Sequence, residues 1–155
     1  MFGLKKKKLD LSSPVDGKLI KLAQVPDEVF SQGLMGQGFA IEPTADMIYA
    51  PVAGKIANIF PTKHAIRIKT KQGPELLLHL GLDTVELNGT PFELLVTEGQ
   101  NVDPQTRLCK MDRQQIITAG KATAVLVLVT SGETVTLLEQ EREQHGQVCA
   151  TIKLD

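Results

Sequence analysis

Short apolar runs separated by turn-forming residues fill most of this sequence, and this pattern restricts the chain to few architectures. From Leu11 onward the runs are five to seven residues long, with Gly, Pro, Asn and Asp between them. Clear examples are residues 18–22, 54–60, 65–70, 76–82, 124–130 and 148–154. Runs of this length bounded by turn residues are typical of strands in all-β sandwiches and barrels. The pattern therefore predicts an all-β fold.

One segment favours a helix instead. Residues 112–122 carry a helix-like pattern, with Asp112 as the predicted N-cap and Gly120 near the predicted end. The polar stretch 139–144 fits either a helical turn or a loop. The prediction is thus a β protein with at most one or two short helical turns.

The overall composition excludes several classes of function. The chain has 17 Lys and Arg against 18 Asp and Glu, a net charge of −1, so a nucleic-acid partner would require a local basic patch. Five Phe, one Tyr and no Trp leave little material for stacking on bases. No apolar run approaches the roughly 18 residues of a membrane-spanning helix. We therefore predict no nucleic-acid partner and no membrane span.

Basic residues concentrate at the N-terminus. Residues 1–10 contain four Lys and one Asp, which predicts a flexible basic tail followed by a single domain over residues 11–155. A solvated tail is the simpler interpretation of these lysines. Residues 1–8 also fit peripheral contact with an anionic membrane surface, aided by Phe2 and Leu4.

The two cysteines give an indication of the cellular compartment. Cys109 and Cys149 lie 40 positions apart and form no CxxC pair. We predict buried free thiols in a cytoplasmic protein rather than a disulfide.

Two of the three histidines lie in neighbouring predicted strands. His64 precedes an alternating run that contains Ile66 and Ile68, His79 lies in the next apolar run, and turn residues 71–74 separate the two. By the period of two, His64 should share the face of the two isoleucines. A hairpin loop of two or four residues would place His64 directly opposite His79, with Cβ atoms about 4.5–5.5 Å apart. A three-residue loop would shift this register.

A pair of facing imidazoles suits three tasks: metal ligation, proton transfer, or carriage of a phosphoryl group on a ring nitrogen. Both rings cannot comfortably be charged at that distance, so at least one pKa should be lowered. Thr62 precedes His64 by two positions, which places its hydroxyl to orient the ring in an extended segment. The third histidine, His145, lies among polar residues and is predicted at the surface.

The sequence around these histidines resembles a known family. The stretch LHLGLDTVELNG at 78–89 resembles the active-site signature of glucose-type EIIA domains of the bacterial phosphoenolpyruvate-dependent sugar phosphotransferase system. The segment TKHA at 62–65 is similar to the second-histidine motif of that family, at the family's spacing of fifteen. Further similar segments are 25–30, 35–41, 50–56 and 98–102. The resemblance covers residues 11–155.

The resemblance implies a fold and an activity. The implied fold is a compact antiparallel β-sandwich with almost no helix, forming one phosphocarrier domain. The implied activity is a phosphoryl relay in sugar uptake, in which His79 accepts the group from the carrier protein HPr and passes it to a cysteine of an EIIB domain. His64 is implied as the residue that stabilises the phosphoryl group, with Thr62 holding His64. No cofactor is implied beyond the covalent phosphate on His79, and regulatory protein partners stay open.

The resemblance also implies a surface for these partners. Two acidic positions would face basic residues of HPr, and four apolar positions would surround them. These positions are Asp27 and Asp83, and Phe30, Leu34, Met35 and Val85.

Two alternatives use different parts of the sequence. A zinc site or zinc hydrolase would use His64 and His79 as ligands, and would need Asp83, Glu86 or a partner's carboxylate to complete the shell. A zinc ion bridging the two histidines in a regulatory complex also fits. A biotinyl or lipoyl carrier would expose a modifiable Lys within Met-Lys-Met, and Lys110 is followed by Met111 but preceded by Cys109. That motif is therefore absent.

Overall fold

The computed structural model of the chain describes residues 7–138 and 142–154. Its strands are β1 (Lys8–Ser12), β2 (Gly17–Lys21), β3 (Gln37–Pro43), β4 (Met47–Tyr49), β5 (Gly54–Ile59), β6 (Ala65–Lys69), β7 (Glu75–Leu82), β8 (Phe92–Leu94), β9 (Asn101–Val102), β10 (Arg107–Met111), β11 (Ala122–Val129), β12 (Val135–Leu137), β13 (Arg142–Glu143) and β14 (Val148–Lys153). The helices are α1 (Glu28–Ser31) and α2 (Arg113–Thr118), and 3₁₀ turns cover Leu22–Gln24 and Thr84–Leu87. The predicted all-β class with short helical turns is confirmed.

The described residues form three antiparallel sheets. The largest has eight strands in the order β13-β2-β3-β11-β7-β6-β5-β9, and two three-stranded sheets have the orders β1-β14-β12 and β4-β10-β8. Residues from all three sheets share one buried apolar cluster, which includes Leu11, Ile48 and Leu78. The sheets therefore pack face to face over one core, as the compact antiparallel β-sandwich requires.

The eight-stranded sheet also has a second apolar face. A smaller buried cluster there contains Ala40, Ala65, Leu77 and Leu126, with Phe30 packed against its edge. Strand β7 lies between β11 and β6 near the middle of this sheet, and it alternates between the two clusters, with Leu78 in the large one and Leu77 in the small one. A strand that is buried on both faces is expected to be apolar at almost every position.

The hairpin between β6 and β7 differs from the predicted register. Ala65, and not His64, is the partner of His79 across the two strands. The backbone N–H of Thr70 donates to the carbonyl of Pro74, so three residues form the loop where two or four were expected. The prediction that His64 and His79 are directly opposed in the ladder is therefore wrong by one position.

The helical predictions are partly correct. Asp112 caps α2 by accepting a hydrogen bond from the backbone N–H of Gln115 at 3.1 Å. The helix ends at Thr118, before Gly120 with its φ of +78°, and Ala122 already belongs to β11. The helix is shorter than predicted because a residue in the left-handed conformation ends it.

The N-terminal boundary also differs from expectation. Strand β1 starts at Lys8, inside the segment predicted as a tail, and Lys8 pairs with Lys153 of β14. The alternation of Leu9 and Leu11 with polar neighbours accounts for this strand. Residues 1–6, which carry most of the predicted membrane contact, lie outside the described residues, as do 139–141 of the ambiguous polar stretch.

Two other predictions concern the cysteines and membrane-spanning helices. Cys109 and Cys149 are buried free cysteines, as predicted. Over the described ranges, no helix is long and apolar enough to cross a membrane.

Candidate functional site

The side chain of His79 is fixed by a bond to the backbone two residues further on. Its Nδ1 lies 2.8 Å from the carbonyl oxygen of Gly81. Because a carbonyl can only accept, Nδ1 carries the proton and donates it. The other ring nitrogen, Nε2, is then unprotonated and has a free lone pair. The site thus contains an imidazole with a defined tautomer.

Gly81 makes this bond possible through its backbone conformation. Its φ is +77°, in the left-handed region that glycine adopts at little cost. A Cβ at this position would lie 2.5 Å from Cγ2 of Thr84 and 2.9 Å from the carbonyl oxygen of Ala122. The position therefore requires glycine for two reasons, backbone angle and space.

His64 lies just before β6 and is almost completely buried, with 8% of its surface exposed. The preceding Lys63 has a φ of +61°, so the chain turns sharply there. Oγ1 of Thr62 lies 2.5 Å from Nδ1 of His64. This is the Thr62–His64 proximity that the sequence spacing suggested.

The two histidine rings meet although their positions are not opposed in the ladder. Their centroids are 5.1 Å apart and their planes are inclined by 81°. Ala65 and His79 share the face of the smaller cluster, while Ile66 lies in the large core. Since His64 lies outside the strand, the alternation does not apply to it, and the turn at Lys63 directs its ring to the side of His79. The predicted face of His64, with Ile66 and Ile68, is wrong.

Aromatic side chains hold both rings. Phe30 contacts His79 at a centroid distance of 4.8 Å, and Phe60 contacts His64 edge-on at 5.5 Å. The resemblance had indicated Phe30, but nothing in the sequence singled out Phe60. The only signal for it is its place directly before the turn that carries His64.

A shallow cavity of about 230 Å³ opens above the two rings. The residues that line it are Asp27, Val29, Phe30, His64, His79, Asp83 and Val85. Six of these were candidates from the sequence, and Val29 was missed.

The remaining predicted surface residues lie further out. Leu34 and Met35 are 69% and 38% exposed and follow α1 in the chain, but they do not line the cavity. Val85 at its rim is 46% exposed. Exposed apolar side chains, such as Val85 at this rim, are typical of a surface that contacts other molecules when they form a patch.

The two acidic residues differ in their local roles. Asp83 is exposed and adopts a φ of +58°. Oδ1 of Asp27 accepts hydrogen bonds from the backbone N–H groups of Val29 at 2.9 Å and Phe30 at 3.3 Å. Asp27 therefore caps α1 and holds the segment that places Phe30 against His79.

The environment keeps both histidines neutral. Burial lowers the pKa of His79 to about 4, with a further contribution from His64, while the Gly81 carbonyl, Asp27 and Asp83 act in the opposite direction. Burial also lowers the pKa of His64. At neutral pH each ring therefore has one unprotonated nitrogen.

The lowered pKa of His79 should appear in the stability of the protein. Unfolding returns this imidazole to its ordinary pKa of 6.5, so between pH 6.5 and about 4 the unfolded state binds a proton that the folded state does not. The free energy of unfolding should therefore fall as the pH falls through this window, by roughly 2 kcal/mol from this group between pH 7 and pH 5. Urea denaturation at the two pH values measures the loss. In a His79→Gln variant the loss should be smaller by that amount, and equal losses would contradict the assigned pKa.

The possible metal ligands near the pair are few. In the ranges 7–138 and 142–154, no group of three or more His, Cys, Asp or Glu side chains is placed to hold a metal ion. Neither Asp83 nor Glu86 completes a ligand set with the two histidines, so the chain itself offers two imidazole donors at this point. A partner's carboxylate would have to supply the third.

Comparisons with known proteins identify the kind of chain that this one is similar to. Residues 9–135 match the family model described as phosphoenolpyruvate-dependent sugar phosphotransferase system, EIIA 1. A glucose-specific EIIA component of Mycoplasma capricolum is 40% identical over 149 residues, covering 95% of this chain and 97% of that protein. One from Staphylococcus epidermidis is 39% identical over 127 residues, covering 82% of this chain and 76% of that protein.

A solved structure and a larger protein are similar as well. The structure of glucose permease IIA from Mycoplasma capricolum matches with a TM-score of 0.87 and 38% identity, covering 97% of this chain and 99% of that one. A glucose-specific EIICBA component of Streptococcus pneumoniae is 44% identical over 133 residues, which is 86% of this chain but 18% of that protein. This chain therefore spans less than a fifth of the streptococcal relative.

Proposed function

We propose that His79 is the carrier residue of this chain, which belongs to the EIIA 1 family of the phosphoenolpyruvate-dependent sugar phosphotransferase system. As a member of that family, the chain is a phosphotransferase component that carries phosphoryl groups in sugar uptake. His79 takes the phosphoryl group from HPr and passes it to a cysteine of an EIIB domain. The observation that carries this proposal is the bond from Nδ1 of His79 to the Gly81 carbonyl, because it leaves Nε2 as the nucleophile.

The transfer consists of two displacements at phosphorus. In the first, the Nε2 lone pair of His79 attacks the phosphoryl group on the phosphohistidine of HPr, the N–P bond of HPr breaks, and that nitrogen retains the electron pair. In the second, the thiolate of the EIIB cysteine attacks phosphorus, and Nε2 retains the electron pair of the broken N–P bond. Such transfers depend mainly on positioning and on stabilisation of charge.

His64 serves as the donor to the phosphoryl oxygens in this proposal. The hydroxyl of Thr62 lies 2.5 Å from Nδ1 of His64, and in this proposal it donates to that nitrogen, so that the proton of His64 is on Nε2. A preorganised N–H next to the reacting phosphoryl group stabilises the charge that develops in the transition state. The ring distance of 5.1 Å between the histidines supports this role.

The rim of the cavity fits brief docking of partner proteins. Asp27 and Asp83 supply negative charge, and Val29, Phe30 and Val85 supply apolar surface. Acidic groups around an apolar patch favour a basic partner surface and raise the rate of encounter. The streptococcal relative is named an EIICBA component, which indicates A, B and C components in one protein. This name supports an EIIB domain as the acceptor. A cytoplasmic location follows from these partners as part of the proposal.

The proposal is tested by reconstituting the donor side. The protein is incubated with radiolabelled phosphoenolpyruvate, enzyme I and HPr, and the labelled peptide is identified by mass spectrometry. We expect one acid-labile phosphoryl group on the peptide that contains His79. Label on another residue, or no label from phospho-HPr, would contradict the proposal.

The charge of Asp83 should affect docking more than chemistry. Because the φ of Asp83 is +58°, asparagine, which tolerates this conformation, removes the charge without strain. We expect Asp83→Asn to slow the second-order rate of phosphoryl uptake roughly threefold at low salt, through slower association. The difference should shrink as salt increases, since exposed charges are screened within about 10 Å at 0.1 M.

The matched control is Asp10→Asn. Asp10 is an exposed aspartate on β1, in a different sheet from the cavity. It should leave the rate unchanged at every salt concentration. If the two variants behave alike, Asp83 does not contribute to the partner surface.

A further inference from the structure

A buried threonine next to His79 has no role in the site as described so far. Thr84 has 0% of its surface exposed, and its Oγ1 donates a hydrogen bond of 2.5 Å to the carbonyl oxygen of Leu80. Threonine is mostly exposed in folded proteins, and a completely buried hydroxyl needs a partner. Here that partner belongs to the residue between His79 and Gly81.

The Gly81 carbonyl points in an unusual direction for a strand residue. In a regular strand, carbonyl groups lie in the plane of the sheet, whereas side chains stand on its faces. The carbonyl of residue i+2 then does not reach the side chain of residue i. At Gly81 the ladder between β7 and β11 is interrupted, with a register shift between Ala122 and Val125. This interruption and the φ of +77° allow the carbonyl to turn to the ring of His79.

Two hydrogen bonds, on the peptides either side of Leu80, and the side chain of Thr84 restrain the backbone that leads into Gly81. The backbone N–H of Leu80 donates to the carbonyl of His64 at 2.7 Å, and the carbonyl of Leu80 accepts from Thr84. Cγ2 of Thr84 closes the space beside the α-carbon of Gly81, where a Cβ would lie 2.5 Å from it. The hydroxyl of Thr84 thus restrains the orientation of the Leu80–Gly81 peptide.

We propose that Thr84 is a positioning residue for phosphoryl transfer, which acts through the Leu80–Gly81 peptide to hold the Gly81 carbonyl against Nδ1 of His79. This inference rests on the proposed function of His79. Without the hydroxyl, the Leu80 carbonyl loses its partner, and rotation of the Leu80–Gly81 peptide also displaces the next peptide, to which the Gly81 carbonyl belongs. The Gly81 carbonyl then holds Nδ1–H less firmly, and the tautomer with the proton on Nε2 becomes populated. That tautomer has no lone pair at the atom that attacks phosphorus.

The variant that tests this inference is Thr84→Val, which removes the hydroxyl and retains the shape. The chain offers a matched control in Thr70, a buried threonine whose Oγ1 donates to the carbonyl of Pro74 at 2.7 Å, also four residues away. Thr70→Val removes a similar hydrogen bond at the other end of the β6–β7 hairpin. Thr84→Ser retains the hydroxyl and loses only the methyl group, so it should restore the hydrogen bond.

Two measurements separate positioning from folding. Nitrogen-15 chemical shifts of the His79 ring report the tautomer, and single-turnover uptake from phospho-HPr at several concentrations separates the maximal rate from the half-saturating concentration. In metal sites, loss of the outer partner that fixes a histidine tautomer typically costs roughly 10–100-fold in metal affinity or activity. For Thr84→Val we expect a loss of that size in the maximal rate, an unchanged half-saturating concentration, and a shift of the ring toward the Nε2–H tautomer. Thr84→Ser and Thr70→Val should match the unmodified protein in all three.

The outcomes of these experiments test the proposed function of His79 and the role of Thr84 separately. If the unmodified protein takes up no phosphoryl group on His79, the proposed function fails. If it does, and Thr84→Val retains the tautomer and the maximal rate, the role of Thr84 fails alone. Should Thr84→Val not fold, the unmodified protein still tests the hydrogen bond on which the inference rests, because a Thr84 hydroxyl proton bonded to Leu80 exchanges slowly with water and is visible by NMR. A rapidly exchanging hydroxyl overturns the inference.

Discussion

Replacement of His79 with glutamine is expected to abolish phosphoryl uptake from HPr. Glutamine occupies a similar volume, but its amide nitrogen has no lone pair available for attack on phosphorus. No other described residue in the cavity places an unprotonated ring nitrogen in the same way, since His64 has its own bond to Thr62. Radiolabel transferred from phospho-HPr, counted on the intact protein, should fall to background.

A control variant tests whether this loss is specific. His145 is an exposed histidine, stacked on Tyr49 at a centroid distance of 4.0 Å and bonded to Asp16. It does not line the cavity above His79. His145→Gln should therefore label as completely as the unmodified protein. Full labelling of His79→Gln would exclude His79 as the acceptor.

Replacement of His64 with glutamine should separate the two half-reactions. A glutamine side chain still offers an N–H group near the phosphoryl oxygens, so we expect His79 to become labelled. Onward transfer to EIIB should nevertheless fall roughly 10²–10³-fold, about 2.7–4 kcal/mol, which is the usual cost of losing one preorganised donor in a transition state. Glutamine lacks the orientation that Thr62 gives to the imidazole.

The measurement compares both half-reactions in single turnover. Prelabelled His64→Gln protein is mixed with an EIIB domain, and loss of label is followed in parallel with uptake from HPr. If His64→Gln takes up no label from HPr while His79→Gln does, the roles of the two histidines are reversed. Equal slowing of both steps would indicate that His64 acts on the general shape of the site and not on onward transfer.

The strands and the proximity of the two histidines were predictable because they depend on local patterns. Alternation and turn residues located the β6–β7 hairpin, and Asp112 was recognised as an N-cap because that signal is confined to one turn of helix. The register was predicted wrongly because it depends on one residue of loop length. The proximity of the two rings was nevertheless predicted correctly, because the left-handed turn at Lys63 places His64 on the side of His79.

Other parts of the site depend on contacts that no local pattern encodes. Helix α1 has four residues, too few to show a helical period, so the sequence did not indicate it. The contacts of Phe60 with His64 and of Thr84 with Leu80 arise from packing and from an interrupted ladder. Asp27 was interpreted as a partner residue, and the structure adds that it caps α1. The sequence alone does not distinguish the two roles of such a residue.

The position of His79 in the sheet has a kinetic consequence. Strands β6 and β11 flank β7, and the face opposite His79 belongs to the buried core, so a partner approaches the ring through the cavity. Under the proposed function, HPr and EIIB then occupy the same place and exclude each other. Exchange must follow a ping-pong order, in which the phosphorylated protein is released before the acceptor binds. Each partner acts as a competitive inhibitor of the other, and the flux of phosphoryl groups depends on the ratio of their concentrations.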